Sequence, residues 1–229
     1  MTIQHAPTST QTDHTNPRGL RAAAWAGLVG PVLFTAAFLV QEAFRRDEYS
    51  PMAEPVSALE AGPNGWVQQV SFVVLGALTM AFAWGLHRGM APTRGGIAGP
   101  AALFVTGIGL FVAAAVPIRE DAAGVSITPG GHLLGGTLFF LVSPVALMLL
   151  SRRMRRDTSW RDLSAYTLVT GIAIVAAAVV MMTLVVPDDA PLHDQAGLAQ
   201  RIIVVALLFP CRMVMAGRLL RVARRGVTG

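Results

Sequence analysis

Six apolar blocks, each near 20 residues long, decide what this chain can become: roughly Leu20–Phe44, Gly65–His87, Gly95–Ile118, Gly131–Leu150, Leu163–Val186 and Leu198–Leu220. A hydrocarbon core about 30 Å thick takes about 20 residues of α-helix to cross. Inside it every backbone N–H and C=O must find its partner within the segment, which leaves the helix as the spanning structure. Composition agrees: of 229 residues, 53% are hydrophobic and only 14% charged, and the mean hydropathy is +0.55. The expected fold is all-α, a polytopic membrane bundle of six transmembrane helices.

The first residues, "MTIQHAPTSTQTDHTNP", are polar and lack apolar periodicity, which reads as a disordered tail over residues 1–19. A six-helix domain over 20–221 and a short basic tail over 222–229 follow. A secretory signal would place basic residues and a short apolar core at the start; the first apolar block here is long enough to span instead.

The pI of about 10.9 is the sort of value a nucleic-acid binder carries, but the distribution of charge argues against such a partner. All 18 basic residues are Arg, and most stand at the ends of apolar blocks, where they set topology. The N-terminal segment, the second and fourth connections and the C-terminus hold most of them, including the runs "SRRMRRDTSWRDL" and "RVARR". By the positive-inside rule both termini are expected in the cytoplasm, with the helices paired as three hairpins. The acids fall mostly on the opposite side, from Glu42 and Glu54 to Asp194. Abundant Arg and Ala with no Lys suggest a GC-rich bacterial genome, and hence a multi-pass protein of the bacterial plasma (inner) membrane. The single cysteine, Cys211, leaves no internal disulfide and no cysteine-built metal site.

Short echoes recur along the chain. "GLVGP" (Gly27–Pro31) matches "GIAGP" (Gly96–Pro100), and "GWVQQV" (Gly65–Val70) matches "GLAQRI" (Gly197–Ile202), with Gly131 midway between the latter two. They suggest three related hairpins. Their physical content is that small residues let membrane helices approach closely, while Pro31, Pro100, Pro144 and Pro210 each remove an intrahelical hydrogen bond.

Polar residues recur where the even-numbered helices begin: Gln68 and Gln69, then His132, then Gln200 and Arg201. With Glu42, Asp121, His193 and Asp194 they are placed to form one polar ring. Ordinary interfacial residues look the same, so the ring is a candidate ligand site in which Gln69, His132 and Arg201 stand out at helix mouths. Arg212 lies well inside the sixth block with no acid at its depth. A charge at a helix centre costs about 2.5–3.5 kcal/mol on insertion scales, so it either snorkels to the headgroups or faces an inner cleft. Pro210 leaves the Ala206 carbonyl without its donor, which Arg212 is placed to serve. No metal-ligand spacing, phosphate loop or nucleophile elbow occurs, so no cofactor and no metal are expected.

The segments "EPVSALEAGPNGWVQQVSFVVLGALTMAFAWGLHR", "TPGGHLLGGTLFFLVSP" and "AGLAQRIIVV", in that order and spacing, resemble the bacterial membrane family described as domain of unknown function 998. The resemblance covers roughly Arg21 to Arg221 and implies six spanning helices but no established activity. Its motifs fall on Pro55, Val56, Ser57 and Leu59, on Gly65, Trp66 and Gln68, on Asp121, on His132, and on Gly197, Gln200 and Arg201. An Asp-Pro pattern reads Asp121-Ala122 here, and a second His expected before His132 is absent.

Two functions are compatible with this reading. The first is an integral membrane protein that binds a lipid or small hydrophobic ligand in an outward-facing cleft through Gln68, Gln69, His132, Gln200, Arg201 and Arg212. The second is an intramembrane enzyme acting on a prenyl or terpenoid chain, with Glu42, Glu54, Glu60 or Asp121 as the catalytic acid. Membrane lipids are the expected surroundings, and the sequence names no protein partner.

Overall fold

The computed structural model describes residues 17–121, 126–185 and 189–225; the segments 1–16 and 226–229, read above as tails, lie outside the described residues. Its spanning helices are α1 (Pro17–Phe44), α2 (Trp66–Gly89), α3 (Ala98–Ala115), α4 (Gly130–Met154) and α5 (Ser164–Leu184). The sixth, α6, runs through Ala196–Arg201, a π-helical stretch Ile202–Leu208 and Phe209–Arg225. All six are long and apolar enough to cross a membrane, and the all-α class expected from the sequence holds. Among the described residues, extended pairing is confined to an antiparallel ribbon of two residues per strand, β1 (Arg119–Glu120) with β2 (Ser126–Ile127). Helix α1 is already helical at Pro17, the first described residue, ahead of the expected Leu20. Helix α6 continues through Arg225, into what reads from the sequence as the basic tail.

Each helix packs on the next in chain order, and α6 returns against α1 to close the ring. Glycines set the closest crossings. A Cβ at Gly76 would stand 2.9 Å from the Gly107 carbonyl oxygen, and one at Gly109 would stand 2.7 Å from that of Gly135. Backbones meeting this closely are how helices associate in lipid, where there is no hydrophobic drive between them. Ala23 of α1 and Leu219 of α6 both meet Gly85 of α2, so the two chain ends share one end of the bundle with the 2–3 and 4–5 connections.

The exterior is apolar: Val32, Leu39, Leu141, Val169, Ile172 and Met182 are exposed. The interior carries hydroxyls that donate to carbonyls of their own helix, as Thr79 does to Leu75 (2.6 Å) and Ser143 to Phe139 (2.6 Å), or of the next, as Ser151 does to Ser164 (2.7 Å). An apolar shell around satisfied polar groups suits lipid, not water.

The end bearing the chain termini is tightly sealed. Arg153, 5% exposed, donates to the carbonyls of Met90 (2.7 Å), Gly96 (2.8 Å), His87 (3.0 Å) and Ala91 (3.2 Å). Asp157 accepts from the Ala91 and Ser159 N–H groups at 2.7 and 2.9 Å. Trp160 is fully buried with its indole N–H on the Gly89 carbonyl at 3.0 Å. At the opposite end α5 is loosely held: it has no buried residue from Val175 to Leu184.

Candidate functional site

The stretch "YSPMAEPVSALEAGPNGWVQQ" between α1 and α2 folds as a cap over that second end. Pro55 sets extended backbone before a 3-10 turn, Val56–Glu60. Gly62 and Asn64, both at positive φ, reverse the chain into α2; Gly has no Cβ to clash there and Asn tolerates the region better than most residues. Arg45 donates to the carbonyls of Ala61 (2.8 Å) and Leu59 (3.3 Å), holding the end of the turn. The start of α6 bolts to the same loop: the N–H groups of Gly197 and Leu198 donate to Ala53 and Met52, and the Gln200 side-chain oxygen accepts from the Val56 N–H at 2.6 Å.

Three polar clusters hang beneath this cap. Arg201 forms an ion pair with Glu42 and donates to the Tyr49 hydroxyl (2.7 Å) and to the carbonyls of Gly197 (2.9 Å) and Glu54 (3.1 Å). Its guanidinium lies 5.7 and 5.8 Å from the ring centroids of Phe38 and Tyr49, within cation–π range. The Tyr49 hydroxyl donates in turn toward Glu54 and Pro55 carbonyls. Burial pushes the Tyr49 phenol up to about 12, against the opposing pull of Arg201.

The second cluster is Glu60 with His132. The Glu60 side chain has no solvent exposure; its Oε2 lies 3.0 Å from His132 Nδ1 and accepts the Ile118 N–H at 3.1 Å. His132 Nδ1 is also 3.3 Å from the Ala113 carbonyl. Two acceptors around Nδ1 place a proton on that nitrogen. The third is Gln41 with Gln68, joined by Gln41 Nε2 to Gln68 Oε1 at 2.9 Å. Among the described residues Glu60 Oε1, Gln68 Nε2 and Arg201 Nε are buried without a hydrogen-bond partner.

Below lies a cleft of about 60 Å³ with an aromatic floor. Phe34, Phe38, Phe72, Phe139 and Phe140 line it with Leu75, Leu110, Val204 and Val205; His132, Gln200, Arg201 and Ser57 form its polar rim. Phe34 meets Phe38 and Phe72 with ring centroids 5.8 and 5.7 Å apart. A cavity of 10–15 Å³ on this measure holds one water, and drug-sized pockets run to several hundred Å³. The slot is therefore a small one. Neighbouring glycines of α4 play opposite parts in it. A Cβ at Gly135 would stand 2.5 Å from the Gly109 carbonyl oxygen and 2.6 Å from the Ala113 nitrogen, while one at Gly136 would meet nothing within 4 Å. The π-helical stretch supplies Val204 and Val205. Pro210 has no N–H for Ala206, and just ahead of it the ladder has already shifted, with the Phe209 N–H donating to Val204.

Of the residues singled out in the sequence, His132, Gln200 and Arg201 come together on the cleft. Gln68 is fully buried, while Gln69, the residue favoured from the sequence, is half-buried and does not line the cleft; a helix turns adjacent residues about 100° apart, and only Gln68 faces inward. Among the acids, Glu42 is paired with Arg201 and Glu60 backs His132, while Glu54 accepts from the Ser50 N–H (2.8 Å) and Asp121 is exposed beside the ribbon. None of the four lines the cleft. His193 reaches the Val185 carbonyl and Asp194 is exposed, so neither joins the ring. Arg212 does not snorkel. At 5% exposure it donates to Thr79 Oγ1 (2.5 Å) and the Ala26 carbonyl (3.2 Å), with Phe82 5.5 Å away, and it serves neither Ala206 nor the cleft. Tyr49 and Gln41 escape a sequence reading, because nothing local marks a loop tyrosine or a helix-end glutamine as buried.

A model of a family described as protein of unknown function (DUF998) matches residues 28–216, and the chain belongs to that family. No curated protein and no solved structure matches it.

Proposed function

We propose that this multi-pass membrane protein binds a lipid or small hydrophobic ligand by inserting an apolar chain end into the cleft beneath the α1–α2 cap. One observation carries the reading: an aromatic-floored slot whose rim is polar, with His132 held by Glu60, Gln200 by the Val56 N–H and Arg201 by Glu42. Ligand sites are mostly apolar with a few placed polar groups, and a chain end in the slot leaves its polar head at that rim. Entry is from the bilayer between α4 and α6, since α5 does not line the cleft and its C-terminal half packs loosely. The arginine distribution supports a reading with the cleft end facing outward and both termini in the cytoplasm, in what we take to be a bacterial plasma membrane.

The enzyme reading has less support. Carboxylic-acid catalysis on a prenyl or terpenoid chain needs an acid within reach of the substrate, and of Glu42, Glu54, Glu60 and Asp121 only Glu60 and Glu42 approach, from behind His132 and Arg201. Photoactivatable fatty-acid and prenyl probes test the binding reading. Labels on peptides of α4 and α6 around Gly136 and Val205, suppressed by Gly136→Leu, are expected. Labelling spread evenly over the lipid-facing surface and unchanged by that substitution would refute it.

A further inference from the structure

At the sealed end, away from the cleft, a recess of about 250 Å³ lies between the 2–3 connection and the end of α4. It is lined by Thr93, Arg94, Gly96, Arg152, Arg153 and Arg156. Arg153 is spent on structure: its bonds to four carbonyls of the 87–96 segment fix that segment against α4. This brings Arg94 to face Arg152 and Arg156. Those three are exposed and make no hydrogen bond or ion pair among the described residues. Asp157, the nearest acid in sequence, gives both carboxylate oxygens to the Ala91 and Ser159 N–H groups. Arg152 is in the last turn of α4 and Arg156 lies just past its end, so like charges from both line one recess.

A topology signal requires only that arginines lie on the right side of the membrane. It does not require guanidiniums from two connections, 58 residues apart for Arg94 and Arg152, to converge on one concavity with a threonine beside them. We propose that this recess binds a phosphate group, carried by a lipid headgroup or free in solution. Arg94, Arg152 and Arg156 hold its oxygens through paired N–H donors, the geometry that distinguishes guanidinium from ammonium.

The test uses the full chain in a neutral detergent and native mass spectrometry, with phosphatidylglycerol or inorganic phosphate added. Arg152→Gln/Arg156→Gln is compared with Arg155→Gln/Arg161→Gln, which removes the same charge from residues that do not line the recess. The first pair should weaken binding about tenfold or more, as loss of charge-assisted hydrogen bonds does, and the second less than about twofold, the size of a screened surface effect. Arg152→Lys/Arg156→Lys keeps the charge and should still lose several-fold. Retained phosphatidylglycerol that inorganic phosphate does not displace identifies the lipid headgroup; retained inorganic phosphate identifies the free ion. Equal losses in the two glutamine pairs, or none in either, would overturn the proposal. Elution at the wild-type volume by size exclusion keeps misfolding out of the comparison.

Discussion

The two ends of the bundle each turn an arginine inward, Arg153 buried and Arg201 partly so, and to opposite effect. Arg153 turns its guanidinium onto four backbone carbonyls and, with Asp157 and Trp160, locks two connections together. Arg201 pins the α1–α2 cap to α6 through Glu42, Tyr49 and Glu54, yet the cleft beneath it stays open. At the sealed end the buried polar atoms are nearly all used. At the cleft end Glu60 Oε1, Gln68 Nε2 and Arg201 Nε are left over. Polar groups thus serve as closure at one end and as the frame of an opening at the other. Orphaned buried donors and acceptors cost stability, so their concentration around the cleft is what a site shaped for binding leads one to expect.

Substitutions sharpen this contrast, and the largest effect belongs to the sealed end. Arg153→Met should destabilise by about 2–5 kcal/mol, since it leaves the buried carbonyls of Met90 and Gly96 without their donor; denaturant unfolding in detergent measures it. Gly135→Ala comes next, at about 1–3 kcal/mol, because the new methyl has only backbone to push against. Gly136→Leu should stay within about 0.5 kcal/mol of wild type, since its Cβ enters open space. If the two glycine variants lost equal stability, the cleft would be ordinary packing.

Arg212→Met sharpens the comparison from the middle of the bundle. Arg212 has no acidic partner, so an apolar side chain of similar length sheds a buried charge and costs less than about 1 kcal/mol. A loss as large as that of Arg153→Met would mean the interior charge is essential to the fold. The smallest effect is in titration. Tyr49 ionises near pH 12 in the folded protein but near 10 when unfolded. The unfolded chain therefore binds fewer protons between these values, and stability falls as pH rises through that window. Tyrosinate absorbance in a Tyr166→Phe background, where Tyr49 is the one remaining tyrosine, should appear only near pH 12.

Much of the architecture was legible because it rests on length and hydropathy, which are local. Leu20–Phe44 and its five successors are spans whatever they pack against. Ends were harder: α3 stops at Ala115 rather than Ile118, because Pro117 cannot continue the ladder and disfavours helix at Val116; beyond it the Ile118 N–H is taken by Glu60, a partner 58 residues away. The site was half legible. His132, Gln200 and Arg201 announced themselves as polar residues opening apolar blocks. Glu42, Glu60 and Val56 were singled out too, but not as their partners, and Tyr49 was not, since each pairing joins distant parts of the chain. Gln68 and Gln69 are indistinguishable by composition, and only helical phase decides which is inside.

The most direct test of the binding reading is native mass spectrometry of the protein gently extracted from its own membrane, with the co-purifying lipids identified. One enriched apolar species should be present, lost in Gly136→Leu and kept in Arg152→Gln/Arg156→Gln. Bulk lipid alone, retained equally by wild type and Gly136→Leu, would contradict a ligand in the cleft.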